Sequence, residues 1–265
     1  MPWTQVAYRY DGSFGGFLTC VYESYVHREA PACFLTREEG RFSLWPERTV
    51  DTSPVHARRV YRSLHEKMGR EGRSLITQGF LTCLPERELH LWRLIQLGYE
   101  QGPKVAQLLT DARVLTVRKA VQQLQSEAHQ FKGFVRFSDQ DGLLIGEISP
   151  KNRVLPLLRP HFCARYAGAP LVLYDRTHGE ALFTRSGGHW TITPVDDFHI
   201  SAPGQEERDF RALWRRFYDT VAIQGRENPR CRMTHMPKRF WGDMTEFQRE
   251  ENDAPSLPRG RKETS

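Results

Sequence analysis

Residues 111–148 read DARVLTVRKAVQQLQSEAHQFKGFVRFSDQDGLLIGEI, and this stretch decides the predicted fold class. In its first part the apolar residues recur every three or four positions: Val114, Val117, Val121, Leu124, Ala128 and Phe131. This spacing predicts an amphipathic helix that Asp111 can cap. After Gly133 the spacing changes to alternation, and residues 134–138 and 143–148 flank a polar turn, which predicts a β-hairpin.

The same order, helices first and strands later, continues on both sides of this stretch. Helical spacing is seen after a turn with two candidate caps, Asp11 and Ser13, after the candidate cap Ser53, and again from residue 85. Short apolar runs separated by turn residues follow at 170–174, 180–184 and 189–193, and a further helix is predicted from about residue 205. We therefore predict an α+β fold, in which an N-terminal helical region packs with an antiparallel sheet formed mainly by the C-terminal half.

Composition sets the predicted domain organisation and compartment. A chain of 265 residues with 39% hydrophobic residues is predicted to form a single domain over residues 1–247, followed by a polar, disordered tail at 248–265. No apolar run is long enough for a membrane span, and the N-terminus lacks the features of a signal peptide, so a cytoplasmic protein is expected. The five cysteines contain no C-x-x-C pair, so neither a disulfide framework nor a cysteine zinc site is predicted.

The charge of the chain points to an anionic partner. The formal net charge is +6, and 31 of the 38 basic residues are arginine, whose planar fork suits phosphate groups and base edges. The excess of arginine over lysine also has a neutral explanation, since GC-rich coding produces it. The helix predicted from Pro54 carries a local charge of +4 between residues 58 and 73, and the simplest interpretation of that charge is a solvated helix face.

Three motifs in fixed order carry a family resemblance. They are the segments at residues 10–18 (YDGSFGGFL), 127–137 (EAHQFKGFVRF) and 228–241, which ends in MPKRFW. On these motifs the chain, over about residues 5–247, resembles a bacterial family of unknown function that is assigned to DNA metabolism. Members of that family are typically encoded beside a radical-SAM protein of DNA modification or repair, and some are fused to a uracil-DNA-glycosylase-like domain. The resemblance therefore implies a DNA-related role and a radical-SAM partner.

The last motif suggests how nucleic acid would be bound. Basic residues alternate with aromatic ones in this C-terminal stretch; the predicted contacts there are Arg230, Lys238, Arg239, Phe240 and Trp241. Positive charge can follow phosphates while rings stack on unpaired bases. The alternative is that Phe240 and Trp241 fill the core while the arginines bind carbonyl and carboxylate groups.

A second set of residues suggests catalysis or phosphate binding. His161 and Arg165 are four residues apart on a predicted helix and can share one phosphate. Arg136 is a further predicted nucleic-acid contact, near a surface above the hairpin that Glu127 and His129 would frame. Asp175 ends an apolar strand and is predicted to orient His161 as a general base, with Glu127 as a further candidate acid or base. The alternative is structural, with Asp175 starting a turn and Glu127 forming a salt bridge at a helix end.

Three functional hypotheses follow. The first is an accessory protein that binds DNA, single-stranded or damaged, and presents it to a radical-SAM partner. The second is a hydrolase or glycosylase-like enzyme that uses His161, Asp175 and Glu127. The third is a structural partner protein that makes no nucleic-acid contact. No cofactor or metal is predicted, because the chain has no P-loop, dinucleotide fingerprint, H-E-x-x-H motif or radical-SAM cysteine triplet.

Overall fold

The computed structural model describes residues 3–37, 40, 43–185, 188–195, 198, 213 and 237–244. The chain divides into two compact units. The first is formed by Met1–His129 with Pro150–Leu157, and the second by Gln130–Ser149 with Leu158–Ser265. The single domain over residues 1–247 stays a prediction. The tail at 248–265 and the helix expected from residue 205 lie outside the described residues, except for Leu213.

The first unit contains a small parallel sheet whose strand order is β2-β1-β3. Its strands are β1 (Thr4–Tyr10), β2 (Glu29–Thr36) and β3 (Glu47–Thr49). Helix α1 (Phe14–His27) makes the crossover from β1 to β2, as a parallel pair requires. The predicted cap Ser13 is confirmed, since its hydroxyl oxygen accepts a hydrogen bond from the backbone N–H of Gly16 at 2.9 Å.

The remaining elements of the first unit are helical, as predicted. They are α2 (Pro54–Gly79), α3 (Arg87–Gln101), a 3₁₀ helix (Gly102–Gln107) and α4 (Ala112–Phe134), whose end belongs to the second unit. Ser53 caps α2 and accepts a hydrogen bond from the N–H of His56. The apolar faces of α2 and α3 supply fully buried side chains, including Leu64, Met68, Ile76, Leu91 and Ile95. Burial of these faces is what stabilises the helices.

The second unit contains a five-stranded sheet in the order of the sequence. Its strands are β4 (Ser138–Gln140), β5 (Leu143–Ile148), β6 (Leu171–Asp175), β7 (Glu180–Thr184) and β8 (Trp190–Pro194). The pairs are antiparallel except β5 with β6, which are parallel. The expected sheet is thus mixed rather than purely antiparallel. The reason is helix α5 (Leu155–Arg165), which lies between β5 and β6 in the chain and returns it for a parallel strand.

The boundary between helix α4 and the hairpin differs from the prediction. The expected strand at 134–138 does not form, because the helix continues through Gly133 to Phe134, and the N–H of Val135 still donates to the carbonyl of Phe131. The first strand begins at Ser138 instead. The hairpin turn itself is confirmed, since Asp141 and Gly142 both have a positive φ, as a type I′ turn requires.

Candidate nucleic-acid interface

Helix α5 carries His161 and Arg165, and it is anchored by the residue between them, Phe162. The ring of Phe162 is 2% exposed and meets the ring of Phe137 edge-to-face, with 5.2 Å between centroids. His161 is half-buried and Arg165 is exposed. The two side chains interact electrostatically, in agreement with the shared helix face that their i, i+4 spacing predicts.

The imidazole of His161 lies in a positively charged environment. Burial lowers the pKa of His161, and the charges of Lys132 and Arg165 lower it further. Its Nε2 atom is buried and has no hydrogen-bond partner among the described residues. Lys132 and Arg165 are both exposed, and neither forms an ion pair with any residue that the structure describes. We call Lys132, His161 and Arg165 the basic cluster.

The basic cluster is suited to an anion. An oxyanion bound between Lys132 and Arg165 would neutralise these two exposed charges, and it would also remove the electrostatic effect by which they lower the pKa of His161. Lys132 was not among the predicted site residues. The only sequence signal for it was its position in the EAHQFKGFVRF motif, because no spacing rule relates residue 132 to residue 161.

The C-terminal segment that the structure describes includes a short 3₁₀ helix, Lys238–Asp243. Lys238 and Arg239 are exposed, and Trp241 is half-buried with the Nζ of Lys238 5.9 Å from its ring centroid. Arg239 donates from Nη2 to Oε1 of Gln130 at 3.0 Å, which ties the segment to the last turns of α4. The predicted contacts Lys238, Arg239 and Trp241 therefore present charge and part of one ring at the surface.

Phe240 has a different environment from the other residues of this segment. Its side chain is 2% exposed and packs edge-to-face on Phe131, with 4.8 Å between ring centroids, and against Phe134 at 5.1 Å. The prediction that Phe240 stacks on a base is corrected by this burial, since both faces of a buried ring are occupied by protein. Phe240 takes the alternative role, in which it fills the core and fixes the segment on α4.

The end of helix α4 connects the C-terminal segment with the basic cluster. Gln130, Phe131 and Phe134 contact the segment, and Lys132, in the same two turns, contributes to the basic cluster. Both groups belong to the second unit. The structure thus brings the predicted residues His161, Arg165, Lys238 and Arg239 to elements that adjoin one helix end.

Arg136 binds backbone carbonyl groups at the C-terminus of α4. Its Nη1 donates to the carbonyl oxygens of Gly133 at 2.9 Å and Val135 at 3.3 Å. Carbonyls at a helix C-terminus lack intrahelical partners, and a guanidinium group satisfies them while it interacts favourably with the helix dipole. The predicted phosphate contact of Arg136 would therefore compete with a capping role.

Glu127 is a structural carboxylate of the first unit. It is 4% exposed and accepts hydrogen bonds from the N–H of Lys151 at 3.1 Å, the N–H of Asn152 at 2.9 Å and the side-chain amide of Asn152 at 2.6 Å. The amide oxygen of Asn152 in turn accepts from the N–H of Cys83. Because Glu127 serves as an acceptor for these buried donors, its geometry favours the structural alternative over catalysis.

Asp175 orients a histidine, but not the predicted one. Its carboxylate is fully buried; Oδ2 lies 2.6 Å from Nδ1 of His178, and Oδ1 accepts from the N–H groups of Thr177 and His178. The pairing of Asp175 with His161 is therefore corrected to a pairing with His178, whose side chain is 16% exposed. The sequence signal was an Asp-x-x-His spacing directly after a strand, where a turn brings the two side chains together.

Arg230, the remaining predicted contact, lies outside the described residues. Within the residues that are described, no group of three or more His, Cys, Asp or Glu side chains could hold a metal ion. No helix in the described part of the chain is long and apolar enough to cross a bilayer.

Comparison with known proteins identifies a family. Residues 85–246, more than half of the chain, match a family described as a domain of unknown function, DUF4130. No curated protein matches the chain. The matched range includes the whole of α3, α4 and α5, the five-stranded sheet and the C-terminal segment.

Proposed function

We propose that this chain, which belongs to the family of the domain of unknown function DUF4130, is a nucleic-acid-binding accessory protein. In this proposal the second unit binds DNA, single-stranded or damaged, and presents it to an enzyme that carries out the chemistry. The DNA role and the radical-SAM partner rest on the resemblance described above. The binding activity rests on the chemistry of the second unit.

The observation that carries the proposal is the basic cluster. A buried imidazole nitrogen stands beside a lysine and an arginine that form no ion pair with any described residue, and this arrangement repels cations and stabilises an anion. A backbone phosphate fits this requirement, since its oxygens accept hydrogen bonds from the imidazole and the guanidinium while its charge interacts with the ammonium group.

The C-terminal segment supports the same function. Lys238 and Arg239 are exposed, and Trp241 next to them is the ring of this segment that is not fully buried. Positive charge beside a partly accessible tryptophan is typical of surfaces that bind single-stranded nucleic acid, where bases stack on the ring and phosphates lie along the charges.

The binding proposal is tested by removal of two positive charges from the basic cluster. The double variant Lys132→Ala, Arg165→Ala should bind a fluorescein-labelled single-stranded DNA about tenfold more weakly near 0.1 M salt, as expected when phosphate contacts are lost. The matched control Lys119→Ala, Arg185→Ala removes the same charge from exposed positions outside the cluster and should change affinity little. Affinities are measured by fluorescence anisotropy. Equal effects of the two double variants would mean that the cluster contributes only non-specific electrostatic attraction.

The accessory role needs a separate experiment. Copurification of the chain with the radical-SAM protein of the resemblance, with and without DNA, should give a complex that DNA stabilises. A complex that forms equally well without DNA, together with no DNA binding by the chain alone, would favour the structural-partner hypothesis. The absence of any complex would contradict the proposal that the chain presents DNA to a radical-SAM partner.

A second candidate function is enzymatic, and the Asp175–His178 contact favours it. A buried carboxylate that holds one imidazole nitrogen at 2.6 Å can orient the ring, as the carboxylate does for a histidine that serves as a general base. If the chain hydrolyses nucleic acid, His178→Gln should abolish product formation from a labelled oligonucleotide and leave its affinity unchanged. No product from the unaltered protein, on intact or uracil-containing strands, would eliminate this candidate.

A further inference from the structure

The first unit contains a groove that the proposed function does not use. It has a volume of about 330 Å³ and lies between α1, α2 and α3. The groove is lined by tyrosines and cations, and we call it the tyrosine groove: Tyr22, Tyr25, Arg59, Ser63, Lys67 and Tyr99. Its volume falls at the lower end of the range for small-molecule sites, which is enough for one nucleotide and too little for a duplex.

Helix α2 supplies the polar wall of the groove. Arg59, Ser63 and Lys67 recur at intervals of four residues and therefore form one stripe along the helix. The hydroxyl of Ser63 donates to the carbonyl of Val60, so the hydroxyl of Tyr99 is the donor in its contact with Ser63. Burial raises the pKa of Tyr99, which keeps this phenol protonated and the contact intact.

The two cations of the stripe lie against aromatic rings rather than carboxylates. The Nζ of Lys67 is 4.6 Å from the ring centroid of Tyr99, and the guanidinium of Arg59 is 5.7 Å from that of Tyr22. Neither cation forms an ion pair with a described residue. Burial raises the pKa of Tyr25, and the charges of Tyr99 and Glu100 raise it further. The groove thus offers positive charge and ring surface together.

The rings of the groove are fixed before any ligand binds. Tyr22 stacks on His56 with 4.0 Å between centroids, and Tyr25 meets Trp3 edge-to-face at 5.2 Å. Tyr25 is also 36% exposed, so part of its surface is available to a planar partner. A preorganised ring loses little conformational entropy when a base stacks on it.

From this geometry we infer that the tyrosine groove binds one nucleotide of a single-stranded nucleic acid. The base lies against the tyrosine rings, with Tyr25 as the most accessible one, and the adjoining phosphates bind Arg59 and Lys67. The inference is independent of the basic cluster, which belongs to the other unit. It adds a second, separate binding site to the chain.

A strand fits the groove better than a free nucleotide does. Arg59 and Lys67 are eight residues apart, about 12 Å along the helix axis, which suits two phosphates of one strand better than a single phosphate. Further exposed arginines of α2 lie in the turns beside the groove cations, and no described residue forms an ion pair with them: Arg58, Arg62 and Arg70. Such a row of charges would follow the backbone of a strand.

The first test compares variants of one ring. Tyr25→Leu should weaken binding of a labelled ten-residue single-stranded thymidine oligonucleotide about 5- to 100-fold, whereas Tyr25→Phe, which keeps the ring, should bind as the unaltered protein does. Lys67→Ala should also weaken binding, and its matched control is Lys119→Ala, which removes an exposed lysine of α4 that does not line the groove. If Tyr25→Leu fails to fold, as judged by thermal melting, the comparison of Lys67→Ala with Lys119→Ala decides the question. Unchanged affinity in the folded groove variants would overturn the inference.

The second test locates the strand and identifies its source. An oligonucleotide that carries 4-thiothymidine should crosslink under near-ultraviolet light to peptides of α1 or α3, and excess thymidine monophosphate should not compete. Competition by the mononucleotide at equal concentration would show that the site binds a free nucleotide rather than a strand. Crosslinks confined to the second unit would contradict the assignment of a binding site to the tyrosine groove. The double variant Lys132→Ala, Arg165→Ala leaves the groove intact. Crosslinks on α1 that persist in this variant would show that the groove binds the strand independently of the basic cluster.

Discussion

The C-terminal segment Lys238–Asp243 and helix α2 are both rich in positive charge, but they obtain aromatic rings in different ways. In the C-terminal segment the rings are neighbours of the cations in sequence, and Phe240 is buried while Trp241 is half-buried. In the first unit the cations come from α2, and the rings come from α1 and α3. Tyr25, in that second arrangement, is 36% exposed.

This difference shows that basic and aromatic residues that alternate in sequence do not necessarily alternate in space. In the C-terminal segment one of two adjacent rings is used to anchor the segment on Phe131 and Phe134, so half of the motif is structural. On α2, by contrast, the sequence pattern of positive charges is that of a solvated helix face. The packing of α1, α2 and α3 places these charges beside tyrosine rings of α1 and α3.

Phe240→Ala should have the largest effect. Removal of a ring that is 2% exposed leaves a cavity beside Phe131 and Phe134, and we expect a loss of about 3–5 kcal/mol in the free energy of unfolding. Urea denaturation measures this loss. The control Phe240→Leu keeps most of the volume and should cost less. A Phe240→Ala protein as stable as the unaltered one would mean that the ring does not anchor the segment.

Trp241→Ala should give the opposite pattern. If the partly exposed ring stacks on a base, the affinity for single-stranded DNA should fall by about 1–3 kcal/mol, while the free energy of unfolding changes by less than about 1 kcal/mol. Anisotropy titrations and melting curves on this one variant separate the two roles. A large loss of stability with preserved affinity would show that Trp241, like Phe240, is a packing residue and does not bind nucleic acid.

The charges of the two regions can be compared through salt dependence. Lys238→Ala, Arg239→Ala should weaken binding and make the slope of log affinity against log salt shallower by about one or two units, since each phosphate contact contributes roughly 0.7 to 0.9. Arg58→Ala, Arg62→Ala on α2 removes the same charge and should reduce the slope to a similar extent only if a strand follows that helix. An unchanged slope in a folded variant would remove that region from the binding surface.

The smallest effect is expected from pH and concerns His161. Its pKa lies below the ordinary value of about 6.5, so the ring is neutral near pH 7 in the free protein. A bound phosphodiester adds negative charge and raises this pKa, so the complex binds more protons than the free protein does. Affinity should therefore increase as the pH falls from about 8 to about 6, by no more than tenfold for each unit of pKa change.

His161→Gln is the control for this pH dependence, because glutamine donates a hydrogen bond but does not titrate near neutral pH. A phosphodiester oligonucleotide is the appropriate ligand, since its own phosphates do not titrate in this range. An identical pH dependence in the variant would mean that other histidines cause the effect and that His161 is not part of the binding site.

Much of the fold could be predicted from local patterns. The apolar spacing of α4, the serine caps of α1 and α2 and the Asp-Gly turn of the hairpin are all confirmed, because each depends on residues that are close in sequence. The parallel pairing of β5 with β6 was missed, since strand pairing is decided by the path of the chain through α5. The true end of α4 was missed as well, because tertiary contacts override the helix-breaking tendency of one glycine.

The candidate site was predicted less completely than the fold. The proximity of His161 and Arg165 follows from their spacing on one helix, and the exposure of Lys238 and Arg239 agrees with the cost of burying their charge. Lys132 could not be foreseen, because it approaches His161 from another helix. The partner of Asp175 was predicted wrongly, since a residue three positions away in a turn was overlooked in favour of a distant one.

Patterns along the chain were enough to predict the helices among the described residues, most strands of the second half, the excess of positive charge and the basic, aromatic composition of the C-terminal motif. These are properties of neighbours along the chain, which the backbone geometry of helices, strands and turns relates at fixed distances. Only the tertiary structure decided which ring of that motif is buried, which histidine Asp175 holds and which tyrosines face the cations of α2. Those relations join residues tens of positions apart, and they are fixed by the packing of side chains between elements, which no local pattern encodes.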